Sequence, residues 1–364
     1  MNAEPLRLLI VDDSRIFRAA MQEALEGRTD VRVVGSVWSG EKALEFLRRS
    51  PPDLVTLDVN MPGLGGLETL SQIQEFNAAR PDQRPVGVVL VSALTTRGAA
   101  TTVEGLQRGA FDFIQKPDGP HEKANAALLR QQLFEKIDLF AQRRSRQPGA
   151  TLPTPPRPPS PPPIHPPGRF RAVAIGSSTG GPEALARLLP VMTRNATVPI
   201  FIVQHLPPGM TRYFADSLGK KCDYRVVEAA HGEVVQPGTA YIAPGGRHMA
   251  LRSQDGRILI ALNDQPPENG CRPSVDVFFR SLAAVYPPPV LAIILTGMGT
   301  DGAKGLGPLK RVGAYVIAQD EPSSVVWGMP GAAAATNQVD EILPLDRIGA
   351  TVAALLASRT TPCT

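Results

Sequence analysis

Three apolar runs in the second half of the chain each end in a side chain suited to acyl chemistry. RAVAIGSSTGGPEAL passes from strand-like sequence into a Gly-rich turn that carries Ser178. PIFIVQHLPPGM closes its run with His205, and LAIILTGMGTDGAKGL reaches Asp301 through another Gly-rich turn. A hydroxyl, an imidazole and a carboxylate are the parts of nucleophilic catalysis. The imidazole takes the hydroxyl proton as oxygen attacks a carbonyl, and the carboxylate fixes the imidazole tautomer. Backbone N–H groups of the turns, at Met298 and Thr179, could form an oxyanion hole, a donor of that kind being worth about 3–4 kcal/mol. Each side chain alone has a plainer reading. Ser178 could cap a helix or its turn could bind phosphate, His205 could be structural, and Asp301 could be an N-cap. The G-x-x-x-G-G spacing fits neither nucleotide fingerprint, and the turn lacks G-x-S-x-G. The order Ser, His, Asp also departs from the common hydrolase orders, which counts against a generic esterase.

The first part of the chain holds a different inventory. Asp12 and Asp13 follow one apolar run, Asp58 and Ser92 end two more, and Lys116 follows another just before Pro117. Three carboxylates suit a hard divalent cation such as Mg²⁺, which keeps waters and shares a phosphate. Beside such an ion a carboxylate can act as nucleophile toward phosphorus.

The elements that must position these groups follow from hydrophobic periodicity. Strands are expected over 6–12, 31–37, 54–58, 86–92 and 111–115, with amphipathic helical stretches between them. Five such units imply a doubly wound parallel sheet whose site lies outside the carboxyl ends of the strands. The C-terminal part alternates strand and helix in the same way, so an α/β fold is expected for both parts. Between them, 147–167 reads QPGATLPTPPRPPSPPPIHPP, with 11 Pro in 21 residues. Proline supplies no backbone donor, so this is expected to be an extended spacer. The expected organisation is therefore 1–146, a linker at 147–168, and 169–364.

Composition narrows the function classes. A net charge of +4 on 364 residues, with no long Lys/Arg run, gives little support for binding nucleic acid. No apolar segment approaches the roughly 18 residues of a membrane span, and the start is too short for a signal peptide. Three cysteines, Cys222, Cys271 and Cys363, have no metal-ligand spacing, so a reducing, cytoplasmic setting is expected.

VDDS, LDVNMP, the Ser92-Ala93 step and Lys116-Pro117 resemble the response-regulator receiver family. The resemblance implies a flavodoxin-like fold in which Asp58 accepts a phosphoryl group from a histidine kinase of the CheA type. It implies Mg²⁺ held by Asp12, Asp13 and Asp58, with Ser92 and Lys116 on the phosphate and Phe113 at an aromatic switch position. Gly65-Gly66 stands where the family often has Asp-Gly, so a more flexible loop is expected there.

GSSTGGPEAL, QHLPPGMT, HGEVVQPGTAYIAPGGRHM, RPSVDVFFRSLA, LTGMGTDGAKGL and QDEPSSVVWGMP are similar to the CheB family of chemotaxis protein-glutamate methylesterases. What this implies is hydrolysis of glutamyl methyl esters on chemoreceptor cytoplasmic domains, release of methanol, and deamidation of receptor glutamines, with no cofactor for that step. Ser178, His205 and Asp301 match the family's triad. Arg272 is either a residue that orients the receptor helix or part of a helix start with Pro273 and Ser274. His248, His231 and Met329 read as structural. The family likeness further implies that the unphosphorylated receiver covers the esterase site and that phosphorylation releases it, a long linker weakening that inhibition. Two other classes compete: a non-catalytic receiver-adaptor that drains phosphate, and a DNA-binding output, which would need a compact basic helical domain.

Overall fold

A computed structural model describes residues 4–93, 95–145, 170–194 and 196–357. The linker expected at 147–168 and Cys363 lie outside the described residues. The chain divides into two compact units, 1–146 and 147–364.

In the first unit β1 (Leu6–Val11), β2 (Val31–Val37), β3 (Leu54–Asp58), β4 (Gly87–Ser92) and β5 (Asp112–Gln115) alternate with helices. These are α1 (Arg15–Ala24), α2 (Gly40–Arg49), α3 (Gly66–Ala78), α4 (Thr96–Gln107) and α5 (Glu122–Ser145). The strands pair in the order β2-β1-β3-β4-β5, all parallel. Helices on both faces explain why β3 is buried at every residue and reads as an unbroken apolar run ending in Asp58. Ser14, Ser39 and Thr95 start α1, α2 and α4 by accepting the first-turn N–H of Phe17, Lys42 and Gly98. The five strands expected from periodicity are present, each within a residue of its expected bounds.

The second unit has a seven-stranded parallel sheet in the order β14-β13-β12-β6-β7-β9-β8. Its strands are β6 (Val173–Ser177), β7 (Ile200–Gln204), β8 (Arg225–Glu228), β9 (Thr239–Ile242), β12 (Leu291–Ile294), β13 (Tyr315–Gln319) and β14 (Glu341–Leu343). Around it lie α6 (Gly181–Met192), α7 (Met210–Gly219), α8 (Val275–Val285), α9 (Leu306–Arg311), α10 (Met329–Ala335) and α11 (Leu345–Leu356). The chain runs outward from β6 on one side, then returns to its other side through β12. That reversal makes the carboxyl ends of β12, β6 and β7 the natural crevice.

One element was not foreseen. β10 (His248–Gln254) and β11 (Arg257–Asn263) form an antiparallel hairpin outside the main sheet. Its two-residue turn, Asp255-Gly256, has positive φ at both positions, the type I′ signature that Asp-Gly favours.

The core of this unit centres on Phe201, fully buried in β7. Its ring stacks on Tyr241 with centroids 5.7 Å apart and meets Phe278 at 5.2 Å and Tyr286 at 6.0 Å. Among the described residues no helix is long and apolar enough to cross a membrane. Phe201→Ala should destabilise the second unit by about 3–5 kcal/mol, since transfer and cavity costs add. Urea unfolding followed by tyrosine fluorescence checks this, and a loss below about 1 kcal/mol would contradict the packing described.

Candidate active site

Ser178 is the first residue after β6, and His205 the first after β7. A hydrogen-bond lattice joins the two strand ends. His205 N–H donates to Ser177 O at 3.1 Å, and Ser178 N–H donates to Thr296 O at 3.0 Å. The buried Gln204 amide accepts from Ser177 Oγ at 2.7 Å and donates to Ser178 O at 3.0 Å and His205 O at 3.2 Å. Gly297 lies directly against Ser178. A Cβ there would come within 2.8 Å of Ser178 Cβ and 2.4 Å of Met329 Sδ, so a side chain is excluded. The next residue, Met298, has an N–H that donates to no partner among the described residues. Thr179, in the turn after β6, is buried.

Asp301 is 1% exposed and accepts hydrogen bonds from every side. Oδ2 lies 2.9 Å from His205 Nε2 and takes the Val275 N–H at 2.7 Å. Oδ1 takes Ser274 Oγ–H at 2.8 Å, Asn269 Nδ2 at 3.0 Å and the Asp276 N–H at 3.2 Å. Val275 and Asp276 open α8, and Ser274 is its N-cap. The carboxylate therefore sits at a helix N-terminus, where unpaired N–H groups and the helix dipole both favour an anion. The helix start can approach because Gly176 in β6 has no side chain: a Cβ would meet Val275 Cγ1 at 2.6 Å.

Burial alone would push the Asp301 carboxyl up, but the His205, Val275 and Ser274 contacts outweigh it and hold it below the usual range. His205 shows the converse. Burial would lower its pKa, yet Asp301 on one nitrogen and the Cys271 sulfur on the other bring it up to about 9. Asp276, a neighbouring buried carboxyl, is pushed up by burial despite donors from Gly305 and Asn269.

Asn269 and Cys271 are contacts that sequence reasoning did not assign, whereas Ser274 was read as part of the helix start it caps. Glu268 and Cys271 exchange both backbone hydrogen bonds across Asn269-Gly270, whose φ values are +53° and +75°. This second tight turn delivers Asn269 Nδ2 to both Asp301 and Asp276, and places Cys271 Sγ 3.5 Å from His205 Nδ1. An Asn-Gly pair was the available signal. Ser178 Oγ makes no hydrogen bond with His205 among the described residues. Arg272 does not reach this centre. Its Nη1 donates to the Asp264 and Gln265 carbonyls at 3.0 and 3.2 Å. His248 is buried between Pro266 O and Ser274 N–H, and His231 lies against Leu262. Ligand atoms of His205, Cys271 and Asp301 fall within 4.8 Å of one another. The Asp301 oxygens are nevertheless filled by five donors, which commits this trio to hydrogen bonding rather than to a cation.

The first unit gathers its own polar cluster at the ends of β1, β3 and β5. Lys116 Nζ lies 2.7 Å from Asp12 Oδ2 and 2.8 Å from Asp58 Oδ2, with its ammonium 4.7 Å over the Phe17 ring. Asp12, Asp13 and Asp58 bring oxygens within 4.8 Å of one another, Asp13 being exposed and the others buried. Burial and the Asp58 charge push the Asp12 carboxyl up despite Lys116, and its Oδ2 has no aligned hydrogen bond. An all-oxygen, excess-negative set with one open side fits a hard hydrated cation such as Mg²⁺. Ser92 ends β4 and donates to Ala93 O, while Phe113 is half-buried in β5. Gly66 is required where it stands, since a Cβ would meet Asp58 O at 2.4 Å, whereas Gly65 faces only the Glu68 side chain.

His205 should titrate near 9 in the resting protein and fall toward its ordinary 6.5 in Asp301→Asn, as NMR of the ring protons would report. A folded pKa above the unfolded one stabilises at low pH. The contribution, on the order of 3 kcal/mol at most, is complete below pH 6.5 and lost as pH rises through about 9. A His205 resonance titrating below 7 would contradict this electrostatic account.

Residues 173–352 match the family model for CheB methylesterase, and residues 8–127 the model for the response regulator receiver domain. A protein-glutamate methylesterase/protein-glutamine glutaminase of Desulfotalea psychrophila is 41% identical, the match covering 94% of this chain and 96% of the relative. A protein of the same name from Nocardioides is 40% identical over 97% of this chain and 96% of its own length. The CheB methylesterase catalytic domain of Thermotoga maritima aligns with a TM-score of 0.50 and 40% identity, covering 51% of this chain and 98% of that structure. Relatives that share both units across nearly their whole length leave one assignment: the chain belongs to the CheB methylesterase family, with a response-regulator receiver as its first domain.

Proposed function

We propose that the chain hydrolyses glutamyl methyl esters of chemoreceptor cytoplasmic domains, and deamidates receptor glutamines, with Ser178 as nucleophile. The observation that carries this reading is the His205–Asp301 pair at the ends of β7 and β12, with Ser178 on β6 between them. Asp301 occupies Nε2, so Nδ1 is the nitrogen that accepts the Ser178 proton as Oγ attacks the ester carbonyl. The tetrahedral oxyanion is received by the unpartnered Met298 N–H and by the Thr179 turn. The imidazolium, stabilised by Asp301, gives its proton to the departing methoxide oxygen, releasing methanol, or to the departing amide nitrogen, releasing ammonia, when the substrate is glutamine. Water, deprotonated by His205, then frees the glutamate and regenerates Ser178. Because the resting imidazole is held toward its protonated form, activity should climb as pH rises toward about 9. Arg272 is a rim residue whose guanidinium is already engaged, and any role in orienting the receptor helix falls to what it presents beyond those carbonyls.

The same proposal covers control. Asp12, Asp13 and Asp58 hold Mg²⁺, which when bound neutralises phosphoryl oxygens beside Asp58. Asp58 accepts the phosphoryl group from a CheA-type histidine kinase, Lys116 exchanges carboxylate for phosphate contacts, and Ser92 and Phe113 read the change. Phosphorylation relieves inhibition by the receiver, each tenfold of activation requiring about 1.4 kcal/mol between closed and open states. The work is placed in the cytoplasm, where such receptors expose their signalling helices. A non-catalytic adaptor would have no use for a buried carboxylate carrying four donors and an imidazole.

Methanol release from methylated receptor membranes should fall at least about 10⁴-fold in Ser178→Ala, as removal of a nucleophile in a triad does. Acetyl phosphate with Mg²⁺ should raise release by the unmodified chain, and Asp58→Asn should abolish that increase. Release unaffected by Ser178→Ala would overturn the assignment of the nucleophile, and a stimulated Asp58→Asn would overturn the control.

A further inference from the structure

We propose that Cys271 is a nucleophilic modification site inside the esterase centre, and that peroxides or alkylating electrophiles reacting there silence Ser178 chemistry. The inference rests on His205 being the esterase's base. Cys271 Sγ lies 3.5 Å from His205 Nδ1, while Asp301 holds the opposite nitrogen at 2.9 Å. Carboxylate, imidazole and thiol in a row are the relation by which a sulfur nucleophile is activated. The Nδ1 of that imidazole lies within reach of the sulfur, so the ring can take the thiol proton as sulfur attacks. Cys271 is only half-buried, so a small electrophile can reach it. The Asn269-Gly270 turn, closed by paired backbone bonds between Glu268 and Cys271, brings the Cys271 backbone beside His205.

With hydrogen peroxide the chemistry balances without another group. The sulfur attacks one peroxide oxygen, an S–O bond forms and the O–O bond breaks. Sulfur loses two electrons, and the departing hydroxide takes the proton of the imidazolium to leave as water. The resulting sulfenic acid places an oxygen on Nδ1, the nitrogen that must receive the Ser178 proton. Cys222, the other described cysteine, lies after α7 with its thiol donating to Leu218 O, so it is not positioned to resolve the adduct. Recovery by external thiols takes two of them. The first condenses with the sulfenic acid, losing water to give a mixed disulfide, and the second releases Cys271 by exchange.

The experiment treats the full chain with hydrogen peroxide or iodoacetamide, follows Cys271 and Cys222 by peptide mass spectrometry, and assays methanol release in parallel. Burial pushes the Cys222 thiol up, which makes it an internal slow reference. Cys271 should react at least about tenfold faster than Cys222, as an imidazole base beside the sulfur dictates. Activity should fall in step with its modification, and dithiothreitol should restore the peroxide-treated sample. Cys271→Ala should make whatever activity it retains insensitive to either reagent. Asp301→Asn should slow labelling of Cys271, a readout independent of turnover. His205→Gln should do the same if the Asp301 variant does not fold. Labelling of Cys271 no faster than Cys222 would overturn the proposal, as would equal inactivation of Cys271→Ala. Fast labelling that leaves activity intact would overturn the silencing. Absence of methanol release before any treatment would instead count against the esterase reading, with the labelling result still standing.

Discussion

A buried carboxylate is tolerable only where donors replace the water it has lost, because an unpaired charge in the interior costs many kcal/mol. Asp301 meets that condition through the open N-terminus of α8, the Ser274 cap, the Asn269 amide and the His205 ring. Much of the second unit can be understood from this requirement. Gly176 lets α8 reach the sheet, and the Asn269-Gly270 turn brings an amide between two carboxylates that would otherwise repel. Removing any one donor leaves the charge less compensated. The catalytic geometry and the stability of this corner are thus one interaction seen twice.

Both units apply the same sheet logic to opposite electrostatic problems. Parallel strands buried on both faces bring chemically active residues to their carboxyl ends, where the backbone leaves the sheet. In the receiver two buried carboxylates share one ammonium, Lys116, and remain short of positive charge. That deficit suits a cation and then a phosphoryl group. In the esterase one carboxylate is over-supplied with donors, which suits holding a charged imidazole beside it.

Strand order, strand ends and the residues at them were legible because apolar runs have sharp ends and parallel sheets give those ends a shared edge. Ser178, His205 and Asp301 were singled out for that reason, and the structure brings Asp301 onto His205 while Ser178 follows the neighbouring strand. Asn269, Cys271 and the β10–β11 hairpin were not, and the cause is physical. Their contacts are made across 32 residues for Asn269 to Asp301 and 66 for Cys271 to His205, distances at which periodicity carries no information. The local cues existed in Asn269-Gly270 and Asp255-Gly256, two-residue turns with positive φ. Such cues announce a turn without saying which side chain it delivers, or to what.

The central claim is that His205, fixed by Asp301, serves Ser178 as the attacking group even though Cys271 is the side chain nearest its free nitrogen. Acid-quenching the enzyme during turnover of methyl-esterified receptor, followed by peptide mass spectrometry, tests this most directly. The account predicts a glutamyl-acyl adduct on the peptide containing Ser178, formed in proportion to an initial burst of methanol. An adduct on Cys271, or methanol release with no covalent intermediate, would contradict it.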